Sequence, residues 1–146
     1  MQHLMLSYDP EDDSHGKLTA KVQSEGFAGR SAAWFGIERL RAFGEALQAF
    51  PITNGDEPTL RGGFWKNNNE LDQTHVSIRI EPAGPQGRLR VKVLLATPSW
   101  DLGRCDQHSV QAQFLVNYSD VGAFQRDFLA MLEGELSEAR LAATPT

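Results

Sequence analysis

Three stretches in the second half of the sequence decide its fold class: VSIRI at residues 76–80, LRVKVLL at 89–95 and VQAQFLV at 110–116. In each stretch apolar side chains alternate with mostly polar ones, Leu94 and Leu115 being apolar exceptions. A period of two is typical of strands that bury one face and leave the other in water. Such sheets are usually antiparallel, because parallel sheets are covered on both faces. The stretches therefore predict an antiparallel sheet with an open, largely polar face.

Shorter alternating segments at residues 3–8, 17–24 and 30–35 predict further strands, and residues 59–65 predict a glycine-bearing edge strand. Two segments have the period of a helix instead. The first has an apolar stripe made of Ile37, Leu40, Phe43, Leu47 and Phe50, and Pro51 ends it. The second has a stripe made of Val121, Phe124, Phe128 and Leu132, with Ser119 or Asp120 as its cap.

The order of strands, helix, strands and helix predicts an α+β fold: an antiparallel meander sheet with two helices packed on one face. The length of 146 residues fits a single domain spanning 1–146, with 142–146 expected to be frayed. Both helical stripes need the apolar face of the sheet. The predicted shared core is Leu40, Phe43, Leu47, Val91, Val93, Phe114, Phe124 and Phe128.

The composition is that of an ordinary globular protein, with 40% apolar and 23% charged residues. Lys and Arg number 14 against 19 Asp and Glu, giving a net charge of -5. This balance argues against a nucleic-acid partner and is compatible with a basic protein partner. Cys105 is the one cysteine, so an intrachain disulfide is excluded. No signal-peptide or membrane-spanning pattern is present, so the expected location is the cytoplasm, without membrane contact.

Polar residues precede two of the strands in the same order, Asp, Gln and His. Because the first and third strands of a meander run in the same direction, both groups belong at one sheet end, roughly 10 Å apart. This end is a candidate ligand or catalytic site, made of Trp65, Asp72, His75, Trp100, Asp106 and His108. The alternation points His75 to the open face and His108 to the core, so the two should not share a metal. The structural alternative is that these polar groups cap loop amides.

Evidence for an enzyme is weak in this sequence. Cys105 and His108 are three residues apart, but no helix start or glycine-rich nest follows the cysteine to form an anion hole. There is no nucleophile elbow, phosphate loop or dinucleotide fingerprint. All three tryptophans are expected to cap the core, with interface anchoring as the alternative. We expect no cofactor and no metal.

The open face is the other candidate site. Its polar residues alternate with the buried set and must project away from the core. They are Arg79, Glu81, Arg90, Lys92, Gln111 and Gln113. Mixed charges and amides around Leu94 and Leu115 suit a protein interface with a small apolar centre. A second copy of the chain, in a homodimer, is another candidate occupant.

Short motifs in the first half carry a family resemblance. They are Gly26-Phe27-Ala28-Gly29, then Ala33-Trp34-Phe35, then Glu38-Arg39-Leu40-Arg41-Ala42-Phe43 with Leu47. In order and residue type the chain resembles small bacterial proteins of the WapI-type toxin-immunity family, and the segment from Val110 to Leu132 fits their closing strand and helix. The resemblance implies a non-enzymatic protein that binds and neutralises a toxin, and it supplies no catalytic residue. The resulting expectation is a bacterial protein-binding module of the immunity type; the alternative is a small-ligand binder or enzyme at the sheet end.

Overall fold

A computed structural model describes residues 2–99 and 107–144. The elements of this part of the chain, in order, are β1 (His3–Pro10), β2 (His15–Ser24), β3 (Phe27–Gly36), α1 (Ile37–Ala46), β4 (Thr59–Trp65), β5 (Leu71–Pro82), β6 (Leu89–Ala96), β7 (Ser109–Val116), α2 (Tyr118–Leu132) and β8 (Ala139–Ala142). Neither described helix is long and apolar enough to cross a membrane.

The described strands form two antiparallel sheets of four strands each. The first sheet has the order β3-β2-β1-β8, and the second sheet is the meander β4-β5-β6-β7. The predicted α+β class with an antiparallel sheet is therefore confirmed, and the three decisive stretches are β5, β6 and β7. The division into two sheets was not predicted, because period-two alternation is the same in both.

Strand β3 crosses the second sheet from one edge to the other. Near its start Gly29 lies so close to Val110 that an added Cβ would come within 2.3 Å of the valine. Towards its end the ring of Phe35 lies against Gly62. Between them the hydroxyl of Ser31 donates to the carbonyl of Ala96 at 2.6 Å. These contacts follow one cross-strand row of the second sheet, made of Gly62, Val76, Leu95 and Val110. Strand β3 therefore runs at a steep angle to the strands beneath it, as in orthogonal sheet packing.

The core lies between the inner faces of the two sheets and under both helices. All eight residues predicted to share it are buried in one cluster. Helix α1 packs on β3 and β4, helix α2 on β8 and β1, and the two helices meet where the rings of Phe43 and Phe128 contact edge to face at 5.5 Å. Phe50 does not belong to the stripe as predicted, since α1 ends at Ala46 and Phe50 is 80% exposed beside Tyr118.

The start of α2 is tied to the last described segment of the chain. The N-cap is Asn117 and not Ser119 or Asp120 as predicted. The Asp120 carboxylate accepts from the backbone amide of Asn117 at 2.8 Å. The same carboxylate accepts from the amide and hydroxyl of Thr144. Burial would raise the pKa of Asp120, but these hydrogen bonds outweigh it and hold the pKa below its usual value. Ala142 also pairs with His3, and residues 145–146, the rest of the segment expected to be frayed, lie outside the described residues.

Candidate functional site

The open face of the second sheet is the side turned away from the core, and it carries the predicted interface residues. The pairing places Arg79, Lys92 and Gln113 in one cross-strand row. Glu81 and Arg90 lie opposite each other in the next row, and Gln111 lies opposite Leu94. Their inward neighbours are buried, or partly buried in the case of Val110 and Ala112, so the alternation seen in the sequence holds across all three strands.

Two adjoining depressions mark this face. The larger has a volume of about 590 Å³, and its lining includes Ser77, Arg79, Lys92, Leu94, Gln111 and Gln113. The smaller, of about 230 Å³, is lined by Arg90, Gln113, Phe114 and Leu115. Gln113 borders both, so they form one shallow, continuous surface. The side chain of Leu115 is 38% exposed there.

The charges of the open face are largely paired. Arg79 donates to Glu57 at 2.7 Å, and this hydrogen bond lowers the pKa of the Glu57 carboxyl. Glu81 lies between Lys92, at 3.2 Å, and Arg90, at 3.9 Å. Arg61 adds a further cation, placed opposite Ser77. Among the described residues the face thus carries four cations against two carboxylates, an excess of positive charge on a protein that is acidic as a whole.

The rival site at the sheet end is interrupted by a β-bulge in β5. Gly62 is paired with Val76 but Gly63 with Thr74, so His75 is an extra residue. The prediction that His75 points to the open face is therefore wrong: the residue is only 2% exposed and its ring contacts Phe64 edge to face at 4.5 Å. The glycine pair at 62–63 was the sequence signal, since glycine in a strand often marks a bulge.

Gln73 connects this bulge to the segment that follows β6. Its amide nitrogen donates to the Ser99 carbonyl at 2.6 Å, and its oxygen accepts from the Ser99 amide at 3.0 Å. The same oxygen lies 3.0 Å from Nε2 of His75, so the neutral ring donates from Nε2. Burial lowers the pKa of His75. His75 and Gln73 therefore act as structural groups that fix the loop, and Gln73 caps a loop amide as the structural alternative from the sequence expected.

The other members of the rival site do not gather around His75. Asp72 is exposed, and His108, expected on the core side, is exposed as well, with its backbone bonded to Thr97. Trp100 and Asp106 lie outside the described residues, as does Cys105. Within residues 2–99 and 107–144 no group of three His, Cys, Asp or Glu side chains could hold a metal ion. That His75 and His108 share no metal stays a prediction.

The tryptophans differ from the expectation that they cap the core. Trp65 is 43% exposed, and the guanidinium of Arg39 lies 5.0 Å from its ring centroid. Trp34 is 54% exposed and lies on the outer side of the first sheet. The prediction is wrong for these two: Trp34 points away from the core on β3, and Trp65 is the last residue of the edge strand β4. Trp100 lies outside the described residues.

The buried histidine predicts an acid-sensitive fold. The pKa of His75 is lowered from its usual 6.5, so below that pH the unfolded chain binds a proton that the folded chain does not. The stabilisation is complete above about pH 6.5 and is lost as the pH falls towards the folded-state pKa, by at most about 1.4 kcal/mol per pH unit. We expect His75→Gln to flatten the pH dependence of the unfolding free energy between pH 7.5 and 5. Exposed His108→Gln is the matched control and should leave the dependence as it is; equal curves for all three proteins would contradict the assignment.

Comparisons with protein-family models, curated proteins and solved structures found no match for this chain. The resemblance to the WapI-type immunity family accordingly remains an expectation from the sequence. The site is therefore argued from its own geometry.

Proposed function

We propose that this protein is a non-enzymatic binding module that docks a protein partner on the open face of the second sheet. The observation that carries this proposal is the continuous depression along β6 and β7, whose larger part has a volume of about 590 Å³. It combines apolar Leu94 and Leu115, which lie on either side of the Lys92–Gln113 row, with cations and amides. Protein interfaces of the non-obligate kind mix apolar area with polar groups in this way.

The chemistry of the depression favours binding over catalysis. General acid–base catalysis needs a group whose pKa lies near the working pH. The residues that line the larger depression are arginine, lysine, amides, a serine and apolar groups, without histidine or carboxylate. Arg79 and Lys92 are held in ion pairs with Glu57 and Glu81. Among the described residues, the polar side chains of the sheet end do not gather at one point. The alternative of an enzyme or small-ligand binder there therefore has no observation in its favour.

The charge of the open face limits which kind of protein surface can bind there. A basic toxin, which the net charge and the family resemblance suggest, would meet an excess of cations here. A partner that presents carboxylates or backbone carbonyls around an apolar side chain would be complementary. A toxin-immunity role is compatible with this proposal if the toxin offers such a surface. A second copy of the chain would be revealed by a concentration-dependent mass in solution.

The test compares partner capture by the wild type and by Arg90→Glu/Gln113→Ala. Proteins captured from lysate of the source organism are identified by mass spectrometry, purified, and titrated against both forms. We expect the double variant to bind at least about tenfold more weakly, the effect of about 1.4 kcal/mol at a contact centre. The matched control, Arg126→Glu/Gln48→Ala, changes one exposed residue on α2 and one just after α1, and it should bind like wild type.

Stability has to be measured on every variant, because Arg90→Glu places a second carboxylate beside Glu81. Leu115→Ser, which leaves the charges unchanged, serves as the second variant. Weakened binding at an unchanged melting temperature would support the proposal. Undiminished binding by both folded variants would overturn it and move the search to the sheet end.

A further inference from the structure

The outer side of the first sheet carries a second cluster of cations, made of residues other than those of the open face. Along β2 and β3 the outward side chains include Lys17, Lys21, Arg30 and Trp34, and on β8 Arg140 points to the same side. We call this surface the cationic face. It lies on the far side of the core from the open face, because the two sheets bury their inner faces against each other.

One cross-strand row holds three of these cations. Arg30 lies opposite Lys21, Lys21 opposite Met5, and Met5 opposite Arg140. Like charges directly opposite each other destabilise a sheet. In the described part of the chain no carboxylate lies within ion-pair distance of Lys17, Lys21 or Arg30, whereas the open face pairs Arg79 and Lys92 with carboxylates. The first sheet therefore keeps a repulsive pair that its own residues leave uncompensated.

Acidic groups frame this face and limit what can bind it. The turn between β1 and β2 carries Glu11, Asp12 and Asp13, and the turn between β2 and β3 carries Glu25. Asp9 is the carboxylate that the register places among the cations, opposite Lys17. The face is three inter-strand spacings wide, about 14 Å, and its two acidic turns lie at opposite ends of the ten-residue strand β2, about 30 Å apart. A long polyanion running along the strands, or a membrane plane, would extend past these ends and meet the acidic turns, whereas a short acidic peptide segment fits between them.

An aromatic anchor completes the surface. Trp34 is 54% exposed and lies opposite Lys17, next to small Ala32 and Thr19, which are partly buried. Tryptophan and arginine are the residues that most often dominate binding energy in protein interfaces. The flat centre would admit a partner's backbone, with Trp34 at one end and the Lys21–Arg30 pair at the other.

We propose that the cationic face docks a short acidic segment of a second partner protein. The carboxylates of that segment lie on Lys21 and Arg30, and an apolar side chain packs on Trp34. With the open face occupied independently, the protein can hold two partners on opposite sides. This inference rests on different residues from the proposed function, so either can fail alone.

The test uses a labelled ten-residue peptide of glutamates with one central leucine, and the same peptide with lysines in place of the glutamates. Fluorescence anisotropy at low salt should show that the acidic peptide binds and the basic peptide does not. The affinity for the acidic peptide should fall at least about tenfold between 50 and 300 mM salt. The double variant Lys21→Glu/Arg30→Glu should bind the acidic peptide at least about tenfold more weakly. Wild type should prefer this peptide to one with glycine in place of the central leucine, and Trp34→Ala should remove that preference. The matched control Lys66→Glu/Arg126→Glu and the open-face variant should bind like wild type.

A stability readout separates binding from a merely structural role. Lys21→Glu alone replaces a like-charge pair by an opposite-charge pair, so the melting temperature should rise by about 2 °C while peptide binding falls. Absence of acidic-peptide binding at 1 mM, or equal binding by the folded double variant, would overturn the proposal. Tighter binding of a single-stranded oligonucleotide or of phosphatidylserine vesicles than of the peptide would overturn the choice of a protein partner.

Discussion

Phe128→Ala is expected to lower the free energy of unfolding by about 4 kcal/mol, which is the range for removing a fully buried phenylalanine. Phe128 is 0% exposed and contacts the rings of Phe43 and Phe124 at 5.5 and 5.9 Å. It therefore joins the two helices over the core. Urea unfolding at pH 7.5, extrapolated to water, measures the effect.

The control for this substitution is Phe27→Ala, since Phe27 is 66% exposed at the start of β3. We expect it to change stability by less than about 0.5 kcal/mol. Phe43→Ala, alone and with Phe128→Ala, completes a double-mutant cycle whose coupling should be about 0.5–1.5 kcal/mol for the ring pair. A loss below about 2 kcal/mol for Phe128→Ala would show that the helices are not joined through this cluster.

Gly63→Ala should destabilise the fold by about 3 kcal/mol, the upper end of the usual cost of overpacking. An added Cβ would lie 2.0 Å from the carbonyl oxygen of Gln73 and 2.9 Å from the amide nitrogen of His75. Both are backbone atoms of the neighbouring strand, so they can yield only if the bulge opens. Opening would expose the His75 ring and return its pKa towards 6.5, which NMR titration would detect.

Gly122→Ala is the matched control because it adds the same methyl group in a helix with nothing within 4 Å of the new atom. It should stabilise the protein by about 0.5–1 kcal/mol through helix propensity. The two glycine substitutions are thus expected to have opposite signs. A loss of less than about 1 kcal/mol for Gly63→Ala would mean that β4 does not need the close approach to β5.

The strands and helices could be predicted from the sequence because their burial is periodic. Val91 and Phe114 are inward on neighbouring strands, and their outward neighbours Lys92 and Gln113 share a row on the open face. The face predicted as an interface could be listed residue by residue for that reason. The depression in it was not predictable, because it depends on the three-dimensional shape of the sheet.

The remaining differences between the predicted and the observed structure come from features that leave no periodic pattern in the sequence. A bulge shifts one residue, so His75 is buried beside Val76 although alternation placed them on opposite sides. Strand β8 has four residues, too few to show a pattern, and its place beside β1 depends on contacts across the whole sequence. The crossing of β3 over the second sheet likewise depends on single close approaches such as that of Gly29 to Val110.

The pairing of β1 with β8 has a consequence for how the protein is made in the cell. Strands β1 to β3 can pair as soon as they are synthesised, but their inner face, with Leu6 and Leu18, is covered only after the second sheet exists. The edge of β1 that pairs with β8 stays unpaired for longer still, until Ala142 has left the ribosome. Contacts between distant parts of a sequence form slowly, and apolar sheets exposed meanwhile tend to aggregate. The nascent first sheet is therefore a natural client for a chaperone throughout most of translation.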